Sequence, residues 1–488
     1  MMPRIIIPIA LLGIATLVTI CKDSPGLILV QTSIIINRQS VDGESSSDES
    51  GSDDVAEVVP TRIKKKRRRH LHLCPNYKRS GHGYNILRHE FGFHSVDATD
   101  SDNWDLIFGG YLWCGADEHI DDYNMETGLN QQLLRQGFDT LQPHQVYHPC
   151  MGCPDTFCNK EKLCHLQRSI DPTSCYILPQ DYHAIKKRMM NETSSDNKSY
   201  VLKHDSSTSA VHSGKGVRII HSVLDLPTPE ELRDDTGGYY LVQPFQRSYL
   251  GKGSYQRTTE VRYYVAITSV TPLRVYYFND LWMPLSSTLW VDDPPSELYK
   301  RCMQDSHVYK KSCKKVATPH MDDGASRRIR FTDYQNITGM PKKIANRFHE
   351  QATNTMTRIF QSSLPALQNN TINRGITSSG ASCFSFMRAD FGIGQQGDAF
   401  LYEINEFPYG TEPGTAGEVQ RQAYRDLFRM IGLDAAPMLP QHRAEYEAMN
   451  SGNWTLLPTN TNANDDDKDD DNKISFSSPY LIHPNRRI

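Results

Sequence analysis

The chain lacks a charge of one dominant sign, a leading apolar run long enough for an ordinary membrane span, and a Walker phosphate loop. Its 53 lysines and arginines against 57 aspartates and glutamates leave a formal charge of −4, which argues against a dominant nucleic-acid-binding or membrane-binding surface. The N-terminal apolar stretch Ile5–Ile20 follows Arg4 and precedes Lys22. It has the length of a signal peptide and falls short of the ~20 residues of a spanning helix. No A-x-A cleavage pattern follows it. A cleaved signal and an uncleaved anchor through residues 5–20 both stay open, as does a buried strand or helix. No G-x-x-x-x-G-K-[ST] sequence occurs, so any phosphate site must be built in another way.

What is present divides the 488 residues into a leader (1–36), a stalk (37–73), a folded body (74–440) and a mostly disordered tail (441–488). In the stalk, GESSSDESGSDDVAE is acidic and serine-rich, and RIKKKRRR is basic; such stretches bury too little apolar surface to fold alone. The tail contains an Asn/Asp-rich run at 460–472. Of the 11 cysteines, Cys150, Cys153, Cys158, Cys164 and Cys175 crowd into one region. Behind a signal-like leader they read as disulfides. A zinc site is the alternative, because Cys150 and Cys153 form a C-x-x-C pair with His148 and His165 near. Sequons at Asn191, Asn197, Asn336, Asn369 and Asn453 are compatible with glycosylation in the secretory pathway. A cytoplasmic location is the competing expectation.

Aromatic and β-branched runs predict strands at Trp104–Trp113, Tyr176–Leu178, Tyr200–Lys203, Val217–Ile220 and Tyr239–Phe245. A hairpin is expected over Glu260–Tyr277, turning at Thr271-Pro272. Helical spacing marks Lys160–Arg168, Lys342–Leu367 and Gly417–Gly432, while Asn279–Asp323 reads as irregular. The pattern is that of an α/β (α+β) body.

Several of these segments carry chemistry. Lys203 ends its strand and leads into HDSSTSAVHSGKG. There Ser213, Gly214, Lys215 and Gly216 can offer backbone N–H groups and a cation to a polyphosphate, although a flexible hairpin loop is the plainer reading. Pro244 suggests an edge strand with free backbone groups against which a purine ring can pack. Glu260 and Arg262 lie two apart on one strand face, as a surface ion pair or as the charged wall of a site. The most informative stretch is FSFMRADFGIGQQGDAFLYEINEFP, Phe384–Pro408. With Gln395–Asp398 as a four-residue hairpin loop, Asp390 lies opposite Glu403, and Asn405 shares the face of Glu403. Opposed like charges destabilise a strand pair. Two carboxylates and an amide oxygen are hard ligands, so a Mg²⁺ that also holds substrate phosphates would relieve the repulsion. Charges solvated on an ordinary hairpin are the alternative.

Over Trp104–Ile431 the order of these pieces resembles the tubulin-tyrosine-ligase-like (TTL) family of ATP-grasp ligases. The resemblance rests on RADFGIG with AFLYEINEFP, on YVLK with HSGKGV, on VQPF and on EVRYYVAITSVTPLRVYYF. It implies an ATP-grasp-like fold of mixed and antiparallel sheets with helices, the nucleotide held between two sheet subdomains. It implies Asp390, Glu403 and Asn405 as Mg²⁺ ligands, and Lys203 with Ser213, Gly214, Lys215 and Gly216 on the phosphates. It also implies Gln243 and Phe245 beside the adenine, Lys160 as an upstream nucleotide-binding lysine, and Glu260 and Arg262 as catalytic residues. The implied activity is ATP-dependent carboxylate–amine ligation through an acylphosphate, joining a free amino acid to a protein or peptide acceptor. ATP and Mg²⁺ are the implied cofactors, and no nucleic acid is involved.

The chain departs from that pattern at two places. Thr258, next to Arg257, stands where the family usually has a lysine, and Asp333 of Arg330-Phe331-Thr332-Asp333 stands where it has an asparagine. The leader, cysteines and sequons also fit poorly with cytosolic tubulin. A catalytically impaired nucleotide-binding or interaction protein of the secretory pathway is therefore the second reading.

Overall fold

The computed structural model describes residues 6–11, 14–19, 31–35, 69–73, 81–96, 104–108, 141–150, 152–192, 199–206, 217–234, 238–304, 313–317, 328–406, 413–435 and 438–459. The chain divides into two units, Met1–Lys66 and Arg67–Ile488. In the first, Ile6–Leu11, Ile14–Thr19 and Gln31–Ile35 form an antiparallel sheet. The apolar leader is thus strand where an anchor helix was one expectation, consistent with its wealth of isoleucine, valine and threonine. Among the described residues no helix is long and apolar enough to cross a membrane.

In the second unit Arg69–Leu73, at the end of the basic run, is already a strand. It joins Phe93–Val96, Leu106–Phe108, Val146–Tyr147 and Ser382–Cys383 in a parallel five-stranded sheet. A disulfide from Cys150 to Cys383, 233 residues apart in sequence, ties the loop after Val146–Tyr147 to the neighbouring strand Ser382–Cys383. Helix α1 (Lys160–Ile170) follows, with Asn159 capping it by accepting from the Lys162 N–H at 3.0 Å.

A second, antiparallel sheet holds β1 (Tyr176–Leu178), β2 (Tyr200–Ser206), β3 (Val217–Ile220) and β4 (Gly238–Pro244). Their order is β3-β2-β4-β1, which corrects the expectation of an edge strand at Pro244. β4 is internal, and Pro244 is its last residue, opposite Tyr200. At the strand's end a missing N–H disturbs the ladder least. Cys164 of α1, disulfide-bonded to Cys175, packs with Ile177 and Leu241 and docks the helix on this sheet.

The third sheet contains β5 (Glu260–Val270), β6 (Leu273–Phe278), β7 (Trp282–Pro284), β8 (Arg328–Arg330), β9 (Ser385–Ile393), β10 (Ala399–Glu406) and β11 (Trp454–Leu456). β5 is its centre. One edge pairs with β9 over Glu260–Ile267, and the other with β6 and, at Arg262, with β7. Burial on both faces explains the unbroken aromatic and aliphatic run from Tyr263 to Ile267. Val261, Tyr263, Val265 and Ile267 pack against Phe348, Met356 and Phe360 of helix α2 (Lys342–Asn369). Tyr264 and Ala266 pack with Phe386 and with Val419, Ala423 and Leu427 of helix α3 (Gly414–Met430). In α2 the buried positions 345, 348, 352, 356, 360, 363 and 367 recur every three or four residues, the stripe of a one-sided helix. Gly432, at φ 76°, lies just beyond the end of α3.

Two other expectations need correction. The segment 279–323 contains β7 and a helix at Glu297–Gln304, joined by a Cys302–Cys313 disulfide to the chain beyond. The fold also continues past residue 440. Glu447 of α4 (Pro440–Met449) is buried and accepts from Arg274 at 2.7 and 2.9 Å and from Thr268 at 2.8 Å. Trp454 packs on Phe278 with ring centroids 5.2 Å apart. A few buried anchors in a polar stretch leave no periodic signal in sequence. The zinc reading also falls. Cys150 is spent on Cys383, and no group of three or more His, Cys, Asp or Glu suited to a metal occurs among the described residues.

Cys150 also donates its N–H to the Ser385 Oγ at 3.0 Å, so the Cys150–Cys383 staple fixes the start of β9. A Cys150→Ala/Cys383→Ala variant should lose roughly 2–5 kcal/mol of stability under oxidising conditions. Thermal unfolding with and without reductant checks this. Reductant should destabilise the native protein by more than it destabilises the variant, which keeps the Cys164–Cys175 and Cys302–Cys313 bonds but no longer has this one to lose.

Candidate active site

The β9–β10 hairpin closes with a Gly394 N–H to Asp398 C=O bond of 2.8 Å around the three residues Gln395–Gly397. Gly397 adopts φ 86°, as the last position of a three-residue loop requires. A three-residue loop shifts the register by one from the four-residue expectation. A bulge then shifts it back: Phe391 opposes Leu401, yet Asp390 opposes Glu403, leaving Tyr402 unmatched. Tyr402 folds its ring over Gly392, where any Cβ would collide with it. The two carboxylates therefore face each other as expected, by a different route.

Along one face of β5 and β9 the side chains change from aromatic to charged. Tyr264 and Phe386 stack at 5.2 Å. Further along the same face come Arg262 and Glu260 on β5, and Arg388 and Asp390 on β9, with Arg262 in register with Asp390. Asn405, opposite Arg388, and Glu403 extend this face onto β10. Asp390 is 0% exposed, Arg262 5% and Glu260 6%. Buried charge at this density survives only with close partners. Arg388 donates to both carboxylate oxygens of Asp390 at 2.7 and 2.9 Å. The Asn405 amide nitrogen bridges the opposed carboxylates, 3.1 Å from Asp390 and 3.0 Å from Glu403. Burial works against the Arg388 charge, but attraction and hydrogen bonds from Asp390 outweigh it and push the guanidinium's pKa up.

Arg262 is held differently. Its guanidinium lies 4.6 Å from the Trp282 ring centre, an arrangement worth about 1–2 kcal/mol when desolvated. It reaches Glu260 at 3.5 Å. Its Nε is 3.7 Å from Asp390 Oδ1 and, although buried, has no hydrogen-bond acceptor among the described residues. Such an atom is costly to leave unmatched.

From the second sheet Lys203 donates to the Tyr402 carbonyl at 3.3 Å, with its ammonium 5.7 Å from that residue's ring centre. Parts of the side chain are exposed, but the ammonium lies deep enough for desolvation to lower its pKa. Glu403, Glu260 and Asp390 oppose that shift, and Lys160 adds to it. The same electrostatic neighbourhood therefore contains Lys203, Lys160 at the start of α1, and the three carboxylates. Gln243 donates from Nε2 to Gln167 at 3.2 Å, and the Phe245 N–H, just past β4, bonds to the Ser199 carbonyl at 2.8 Å. Ser213, Gly214, Lys215 and Gly216 lie outside the described residues.

These residues suit Mg²⁺ and a nucleotide. Asp390, Glu403 and the amide of Asn405 already converge. The position between the carboxylates is filled by the partly positive amide nitrogen of Asn405, where a cation fits in its place with the amide oxygen turned inward. The unmatched Arg262 Nε and the lysine beside Tyr402 are donors suited to anionic oxygens.

Sequence reasoning missed three contributors: Arg388, Trp282 and Tyr402. Arg388 had a signal, since it stands two residues from Asp390, the spacing that drew attention to Glu260 and Arg262. At the first departure, Arg257 beside Thr258 is fully buried, donating to the Ser254 and Ser286 carbonyls at 2.7 and 2.8 Å. Asp333 is exposed in the first turn of the helix Phe331–Thr338.

The tubulin-tyrosine ligase family matches residues 156–439 of the chain, more than half of its 488 residues. A search of curated proteins finds no match.

Replacing Arg388 tests the electrostatic frame directly. Arg388→Ala leaves the buried Asp390 short of its bidentate partner and should cost about 3–5 kcal/mol. Arg388→Lys should recover only part of that, because a lysine cannot reproduce the fork. Chemical denaturation of the variants measures both values. A loss below about 1 kcal/mol would show that Arg262 and Asn405 suffice to hold Asp390.

Proposed function

The chain belongs to the tubulin-tyrosine ligase family, and on that premise we propose that it is an ATP-dependent ligase joining a free amino acid to a protein or peptide acceptor. The observation that carries the proposal is Arg262: a buried cation with an unmatched Nε, set between Glu260 on its own strand and Asp390 in register with it on β9. When bound, Mg-ATP would supply the phosphoryl group that converts a carboxylate, otherwise a poor acyl donor, into one that an amine can attack.

The chain's own residues account for the rest by positioning and charge. Asp390, Glu403 and Asn405 would hold Mg²⁺, Asn405 through its amide oxygen. Lys203 would bind phosphate oxygens as a point charge, with Lys160 and the 213–216 loop beside it. Gln243 and Phe245 would flank the base. Arg262 would clamp oxygens of the reacting carboxylate or phosphoryl group with its fork. Glu260, 3.5 Å from Arg262, would orient that fork and meet the incoming amine. Trp282 holds the guanidinium over its ring.

Three disulfides among the described residues, Cys150–Cys383, Cys164–Cys175 and Cys302–Cys313, fit an oxidising compartment. With the sequons, they support a luminal or extracellular acceptor in the secretory pathway. One observation favours a second reading, a nucleotide-binding protein of impaired activity. Thr258 has a buried hydroxyl with no hydrogen-bond partner among the described residues, and the neighbouring Arg257 is committed to backbone carbonyls. No cation from that pair is available to an acceptor.

Mg-ATP should raise the unfolding temperature by mass action, with a stabilisation of about 2.7 kcal/mol at a hundredfold excess over Kd. Glu403→Gln should fold normally and lose both that shift and ATP-dependent ligation. A shift in the native protein without ATP turnover would favour the second reading. Normal ligation by Glu403→Gln would refute the metal assignment.

A further inference from the structure

One buried side chain joins the second sheet to the charged hairpin. Gln167 of α1 is 7% exposed. Its Nε2 donates to the Leu401 carbonyl at 2.7 Å, and its Oε1 accepts from Gln243 Nε2 at 3.2 Å. The two ends of an amide are hard to tell apart by shape, but here the chemistry decides them. A backbone carbonyl only accepts, so Gln167 must turn its nitrogen to Leu401. Its oxygen must then face Gln243, and Gln243 in turn must offer its nitrogen. What remains on Gln243 is Oε1, an acceptor with no donor among the described residues.

The start of this relay is itself well fixed. Leu401 precedes the bulged Tyr402, whose own carbonyl accepts from Lys203 at 3.3 Å. Two successive carbonyls of β10 are thus held by side chains arriving from α1 and β2. The hydrogen-bond polarity of the hairpin backbone is carried through Gln167 to the residue proposed to flank the base.

We infer that Gln167 is a positioning residue: it locks the Gln243 amide with Oε1 free, and so sets a preference for a purine with an amino group at position 6 over one with an oxo group. The inference rests on the nucleotide-binding reading. A 6-amino group donates to Oε1. A 6-oxo group presents lone pairs to lone pairs and leaves a polar atom unmatched. With Gln167 in place, Gln243 cannot rotate its amide to suit a 6-oxo base without setting nitrogen against nitrogen or oxygen against oxygen along the relay.

The test is titration calorimetry of the full chain with Mg-ATP and Mg-ITP, which differ in the base only at position 6 and its tautomeric partner. Native protein should prefer ATP. Gln167→Met, similar in volume and without either relay bond, frees the Gln243 amide and should cut the ATP:ITP affinity ratio about tenfold. A merely structural role would weaken both nucleotides by the same factor in Gln167→Met. That outcome, an unchanged ratio in Gln167→Met, or native protein binding ATP and ITP equally would overturn the inference while leaving nucleotide binding intact. Native protein that binds neither nucleotide would overturn both readings.

Discussion

The opposition of Asp390 and Glu403 across β9 and β10 is the constraint on which the site depends. Two carboxylates side by side on a buried sheet face are unfavourable unless positive charge is delivered to them. The protein delivers it from three directions. Arg388 comes from the same strand, Arg262 from the strand in register on the far side, and Lys203 from the other sheet. Asn405 closes the gap between the pair with the positive end of its amide. Asp390, Glu403 and Glu260 are thereby set against Arg388, Arg262 and Lys203. The resting site is close to neutral, yet it keeps the means to accept a cation and an anion together.

That balance depends on rigid surroundings. β5 is clamped between the α2 and α3 clusters, so Arg262 and Glu260 move little relative to β9. The Cys150–Cys383 bond and the Ser385 hydroxyl fix the origin of β9, and Gly397 with the Tyr402 bulge sets the phase of β10. Lys203 is different in kind. It is held by one backbone carbonyl and a ring face, both of which a phosphate can outcompete. Fixed carboxylates with an exchangeable lysine suit a site that must bind and release a polyanion.

Much of this was legible in the residues. The period of two along strands placed Glu403 with Asn405 and Glu260 with Arg262, and the long helix at 342–369 announced itself by its apolar spacing. Asp390 met Glu403 because two departures from the expected hairpin cancel, a shorter loop and a bulge. Only Gly392 beneath Tyr402 hints at the second. Pro244 misled because proline is usually taken to mark an edge, yet at a strand's last residue it is tolerated inside a sheet. Trp282, which supports Arg262, sits in a three-residue strand too short to show a period. Glu447 and Trp454 tie down a polar C-terminal stretch through single buried contacts that no window of composition reveals.

The most direct measurement is an anomalous difference map from crystals grown with Mn²⁺ and a non-hydrolysable ATP analogue. A metal peak should appear with oxygens of Asp390, Glu403 and Asn405 at about 2.0–2.2 Å, the Asn405 amide turned to present its oxygen, and the analogue's phosphates completing the shell. A bound analogue with its metal elsewhere, or Asn405 still bridging the two carboxylates through nitrogen, would contradict the metal assignment.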